Sequence, residues 1–312
     1  MADKKSVTFG SQTSEAIGAS TSKSYEEDVE EVRVVLIQFV ETLLTVPPSV
    51  LTPSLDALVA MVAAACADPA PDVKRGGCTC AIGLATRCGD GLKEEHWDQL
   101  MAGVAFGQNA AILHQHAKVR EAAIAAVGKI MPLAPSKMWD EALPKLKRVH
   151  LDRHGKVRLA VLRVLLDWVL QGAAATHTAQ LLVQLLMGES DEVPEVSEFA
   201  EGAIASAASG RCPEAAGPLE AVEELLGAHL AQIVPEVVED VVEWRSSTRL
   251  KAARTLVVVV KYGAEACEGH LDAFLPALFK GCRDDDDEVA KVIFEACEAP
   301  GGASLPHHGP KP

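Results

Sequence analysis

The sequence predicts an all-α protein, an α-solenoid built from stacked helix pairs. Three observations predict it. Helical periodicity runs through almost all of the text from Tyr25 onward, and strand-like alternation is absent. Hydrophobic residues make up 48% of the 312 residues but aromatics only 4%. The core must therefore be Ala, Val and Leu, which suits thin helices packed closely. Finally, one short phrase returns along the chain with a period near 40, the length of a two-helix unit.

The phrase is EDVEEVRVVL around Val32, DPAPDVKRGGC around Val73, HQHAKVREAA around Val119 and DRHGKVRLAV around Val157. It recurs as DEVPEVSEFA around Val196, WRSSTRLKAA around Leu250 and DDDDEVAKVI around Val289. Successive anchors lie 41, 46, 38, 39, 54 and 39 residues apart. This is the signature of HEAT and armadillo-type repeats. In each copy Asp or Pro ends a first helix and opens a turn, because Asp caps free N–H groups and Pro cannot continue a helix. The anchor then starts the second helix. Small residues such as Ala122, Ala123, Ala252 and Ala253 let the neighbouring helix approach.

Taken in order, residues 1–24 are Ser, Thr, Gly and Lys-rich and read as a disordered leader. A lone helix over about 25–44 follows. Six helix pairs are then expected, over 54–88, 93–131, 136–170, 176–208, 229–261 and 268–298. The run Leu256–Val260 is the best strand candidate, but it sits inside a helical pattern. The 54-residue gap holds an insertion at about 209–227, loop-like first and helical from near Leu219. Residues 299–312 read as a disordered tail.

An acid stands six residues before a base in Glu27/Arg33, Asp68/Lys74 and Asp152/Arg158. This is the pattern of an acid–base ladder along the turns. The basic positions Arg33, Lys74, Arg75, Arg120, Arg158 and Lys251 would line up as a stripe. They serve either as that ladder or as a surface that touches acidic partners, and the ladder is the plainer reading. Five places before the anchors stand Glu27, Asp68, Asp152, Asp191 and Asp284, but also His114 and Arg245.

Candidate chemistry is sparse. A firm zinc site takes three or four ligands, and His114 with His116 has no cysteine or carboxylate cluster to complete one. Cys78 and Cys80, two apart on a helix, diverge by about 200° and cannot share a metal. No histidine is followed by Glu, and no nucleophile elbow, P-loop or dinucleotide fingerprint occurs. Asp284 to Glu288 is a run of five acids without calcium-loop spacing, read as a solvated turn. Trp97, Trp139, Trp168 and Trp244 are expected in the core, although an exposed one would suit an interface. No catalytic, cofactor-binding or metal residue is expected.

The net charge of −15 disfavours nucleic acid and makes basic protein surfaces the more natural partners. The eight cysteines show no paired framework and read as buried thiols in a reducing compartment. The N-terminus lacks an apolar signal core. The longest apolar stretch, about Ala57 to Ala67, is too short to cross a bilayer. A cytoplasmic protein is expected.

The segments DPAPDVKRGGCTCA, HQHAKVREAAIAAVGKI, DEVPEVSEFA and VEDVVEWRSSTRLKAARTL resemble successive repeats of the dynein axonemal assembly factor 5 family. The resemblance covers about residues 25–298, and its most specific parts are DPAPDVKR and HQHAKVR. It implies a cytoplasmic, non-enzymatic scaffold that helps to preassemble axonemal dynein arms. The implied partners are dynein heavy and intermediate chains with chaperones, and no cofactor. Members of that family are longer and continue with further repeats. A general HEAT adaptor, of phosphatase or transport-receptor type, is the alternative, and a metalloenzyme using the histidines a third.

Overall fold

Aspartate and proline punctuate this chain, and the computed structural model, which describes residues 29–298, turns at the Asp- and Pro-bearing phrases that precede several of the anchors. The fold is an all-α helical-repeat solenoid, with no strand among the described residues. The valine-rich run at 256–260 does not override it and lies inside one continuous helix. The expected leader, the tail and Glu27 fall outside the described residues.

Two compact units divide the chain, residues 1–149 and 150–312. In the first, α1 (Glu30–Leu43) is followed by a one-turn α2 (Pro48–Leu51). Then come α3 (Leu55–Ala67), α4 (Pro71–Cys88), α5 (Glu94–Met101), α6 (Ala117–Ile130) and α7 (Trp139–Val149). Helices α1, α4 and α6 lie side by side as one layer, while α3 packs on α4 and on α5. Close approach explains the Gly-Gly pair at 76–77. A Cβ on Gly77 would lie 2.7 Å from the Cys66 backbone nitrogen, so only glycine lets α4 seat against α3.

The second unit holds α8 (Gly155–Gln171), α9 (Thr178–Glu189), α10 (Pro194–Arg211) and α11 (Pro218–Gly227). It continues with α12 (Leu230–Val241), α13 (Ser246–Gly263), α14 (Leu271–Gly281) and α15 (Asp287–Glu298). Helix α8 ends at Gly172, whose φ of 64° is the left-handed cap that a residue with a Cβ resists. The insertion is the helix α11, which packs on both α10 and α13 and so fills the place between them. Pro144, Pro235 and Pro276 each sit at the sixth residue of a first helix, α7, α12 and α14.

One expectation needs adjustment. Helical structure runs without a break from Pro48 to Ala67, 20 residues of mean hydropathy 1.8, which by length and composition could cross a membrane. Its apolar side chains are used otherwise. Leu55, Leu58, Val59, Val62, Ala65 and Cys66 are buried, and α3 packs along α4.

Candidate functional site

The turns between paired helices carry the polar chemistry of the molecule. Three arginines near helix starts, Arg33 on the lone helix α1 and Arg158 and Arg249 on second helices, each fork onto an aspartate in a turn 33 or 35 residues further on. Arg33 donates from Nε and Nη2 to Asp68 at 2.8 and 3.2 Å. Arg158 reaches Asp191 at 2.6 and 2.6 Å, and Arg249 reaches Asp284 at 2.7 and 2.8 Å. Planar guanidinium and carboxylate match in this bidentate geometry, which makes such pairs short and directional.

The remaining nitrogen holds the arginine to its own turn. Nη1 of Arg158 donates to the Asp152 carbonyl at 2.6 Å, and that of Arg249 to Glu243 and Trp244 at 3.2 and 2.9 Å. Arg120 does the same to His114 and Gln115, at 2.7 and 2.9 Å. Arg120, Arg158 and Arg249 thus each tie their own turn, and in the forked rungs the arginine reaches the next turn as well.

The aspartates have a second task. Oδ1 accepts the backbone N–H two residues on, that of Ala70 at Asp68, His154 at Asp152, Val193 at Asp191 and Asp286 at Asp284, all at 2.7–2.9 Å. This local turn is typical of aspartate. Burial pushes the Asp191 carboxyl up, but the bonds from Arg158 and Val193 outweigh it and hold it below its usual range. The Arg249 bond likewise holds Asp284 down.

His114 performs one of these two tasks. Its Nδ1 accepts the His116 N–H at 3.1 Å, so the turn is capped as an aspartate would cap it. The ring also bonds the Pro69 carbonyl, and burial with nearby Lys74 lowers its pKa. A neutral ring cannot supply the carboxylate charge. Lys74, in the basic slot, donates instead to the Asn109 carbonyl. The loop that offers this carbonyl follows a π-turn, Ala102–Phe106, in the repeat of 46 residues.

The stripe residues therefore have different surroundings. Arg33, Arg120 and Arg158 are engaged in the turns, Lys74 is buried, and Arg75 is exposed beside Asp72 at 2.9 Å. Lys251 is misplaced in the expected register. Arg249, two residues earlier, makes the ladder contacts, because its Nη1 reaches the carbonyls five and six residues back, as Arg120 does. The signal was present as Glu243 six residues before Arg249, hidden by choosing Leu250 as the anchor. Lys251 instead lines a pocket of about 120 Å³ with His150, Arg158, Asp191, Glu192 and Arg254. Ser197 takes no part: its hydroxyl donates to the Pro194 carbonyl, and no acid stands at 230–232.

Other candidates resolve similarly. Among the described residues no group of three or more His, Cys, Asp and Glu side chains is placed to hold a metal. The rings of His114 and His116 lie 5.2 Å apart. Cys78 and Cys80 are both buried; Cys78 hydrogen-bonds Cys66 and, with burial, holds that thiol well above its usual pKa, while burial lifts Cys80 to about 12. Such thiols are poor nucleophiles. Cys66, Cys88 and Cys267 are buried as well, while Cys212, Cys282 and Cys297 are half-buried. The acidic run is largely paired, with Asp284 and Asp285 on Arg249 and Glu288 on Arg254. Trp97, Trp139 and Trp168 are core residues, but Trp244 is 76% exposed and stacks against Arg245.

A model described as dynein axonemal assembly factor 5-like, TPR repeats, matches residues 18–209, and one for the dynein axonemal assembly factor 5 HEAT-repeat domain matches residues 213–301. The chain belongs to the dynein axonemal assembly factor 5 family. Family members from Xenopus laevis and Mus musculus are each 28% identical to it, over 87% and 88% of this chain. The chain spans about a third of the length of these curated relatives, 35% and 34%. A solved importin beta structure aligns with 90% of this chain and 34% of its own, at 14% identity and a TM-score of 0.45. The two family models meet near residue 211, just before the inserted helix α11. Anchor spacings of 38 to 46 residues in the first region exceed the TPR period of about 34 and fit HEAT-type units.

Proposed function

We propose that the chain is a non-enzymatic, cytoplasmic scaffold for the preassembly of axonemal dynein arms, holding dynein chains and chaperones on its repeat surface. The observation that carries this reading is the pair of family matches, which together cover 18–209 and 213–301. The turn chemistry supports it. Buried arginines are occupied by carboxylates and carbonyls, which builds a stiff support rather than a reaction centre. Trp244, exposed in the turn before α13 and stacked on Arg245, has the character of an interface anchor. Arg75 and Lys251 are the exposed stripe members, which supports assigning them to the partner-facing surface.

Affinity purification from extract of ciliated cells tests the proposal. Dynein heavy or intermediate chains should be recovered with the wild-type chain and depleted with Trp244→Ala. Recovery of other partners with no dynein chain would overturn it.

A further inference from the structure

Every forked rung follows one rule: the cation near the start of the anchor helix meets a carboxylate. Lys74 breaks it. As a residue it is only 4% exposed. Among the described residues its ammonium has the Asn109 carbonyl as hydrogen-bond partner and makes no ion pair. An ammonium has three N–H donors, so two are left. Nearby Asp68 is already committed to Arg33 and to the Ala70 N–H. His114, in the acid's slot, spends its ring on the His116 N–H and the Pro69 carbonyl.

Beside this ammonium lies an open pocket of about 410 Å³, lined by Lys74, Gln108, Asn109, Leu113, His114 and Gln115. Leu113 is exposed at its edge and the amide side chains offer donors and acceptors suited to a peptide backbone. The π-turn at 102–106 shapes the loop that forms one wall, and such turns are frequent at functional sites. In every forked rung a carboxylate stands where this pocket is open.

We propose that this pocket receives an aspartate or glutamate side chain from a protein partner, its carboxylate completing the rung that the chain leaves without an acid. Charge complementarity selects the occupant: a single buried cation fits a single carboxylate. The chain's net charge of −15 repels a phosphate-rich polymer. The inference rests on the scaffold reading only in taking the occupant to be a protein.

The test uses the full chain and fluorescein-labelled Gly/Ser octapeptides with a central Glu-Glu or Gln-Gln, followed by fluorescence anisotropy at low salt. The Glu peptide should bind the wild type about tenfold more tightly than the Gln peptide, as one charged hydrogen bond would give. That preference should vanish in Lys74→Gln, which removes the cation. It should vanish also in His114→Asp, which supplies the carboxylate from within. Circular dichroism melts identify which variants are folded, and His114→Asp should melt no lower than wild type. Equal affinity of the two peptides for wild type overturns the inference, as does a Glu preference that survives either substitution in a folded variant. These peptides report on the pocket whether or not dynein chains are recovered from extract, so the two readings fail separately.

Discussion

Two turns of the same repeat pattern, one in each unit, solve the same problem differently. In the second unit Arg158 and Asp191 are both nearly buried, and the fork between them is 2.6 Å on each arm. In the first, Lys74 and His114 occupy the equivalent slots and share no ion pair. The aspartate caps its turn and neutralises a cation; the histidine only caps. The comparison teaches that the two tasks of the acid slot are separable, and that the chain kept the local one where it gave up the long-range one.

Breaking the complete rung should have the largest effect. Asp191→Ala leaves Arg158 buried without its carboxylate, with only the more distant Glu192 at 3.6 Å, and should cost about 3–5 kcal/mol. Chemical denaturation followed by circular dichroism measures it. Lys74→Met leaves no charged partner stranded, and should cost less than about 1 kcal/mol. Similar losses from the two substitutions would dissolve the distinction.

Acid separates the rungs next. His150 lies by the Arg158–Asp191 pair, and burial drops its pKa to about 4. In the unfolded chain the same group titrates near 6.5. A base with a lowered folded pKa contributes stability that is complete above about pH 6.5 and is lost as the pH falls toward 4. That amounts to roughly 3 kcal/mol. The lowered Asp191 and Asp284 carboxyls act in a lower window, since their contribution is present above about pH 3.9 and lost as the pH falls through their folded values. Thermal melts from about pH 7 to 4 should show the first loss in wild type and much less of it in His150→Gln.

A smaller effect should follow from restoring the missing acid. His114→Asp keeps the turn cap and gives Lys74 a carboxylate, and should raise stability by about 1 kcal/mol. A melting temperature below that of wild type would show that Lys74 and residue 114 are not equivalent to the other rungs.

Much of this was legible in the residues. The Asp-Pro punctuation and the anchor valines located the helix pairs, and the inserted helix starts at Pro218, one residue from the expected Leu219. What was not legible is the direction of the ladder. An acid six residues before a base suggests a pair within one turn. In space the arginine takes the carbonyl of that near residue and the carboxylate of the next turn, because its fork has two edges. Arg249 was missed since the phrase around Leu250 had diverged. Trp244 could not be told from the three core tryptophans, as exposure of a turn residue depends on what packs over it. The π-turn has no signature except the long 46-residue spacing.

The subtlest consequence lies in two backbone amides. The N–H of His116 points at a neutral imidazole Nδ1 at 3.1 Å, and the N–H of His154 at the Asp152 Oδ1 at 2.8 Å. A bond to an ionised acceptor is roughly twice as strong as a neutral one. After correction for intrinsic rates, His116 should therefore be protected from hydrogen exchange about tenfold less than His154 near pH 7. Lowering the pH toward about 5.5 should widen the gap: the His114 pKa lies below its usual value, but each ring that protonates at Nδ1 loses its acceptor altogether. A carboxylate keeps accepting over that range. Equal protection of the two amides at both pH values would mean that the turns are held by their helices and not by the residue in the acid slot, and the contrast between the two rungs would then reduce to Lys74 alone.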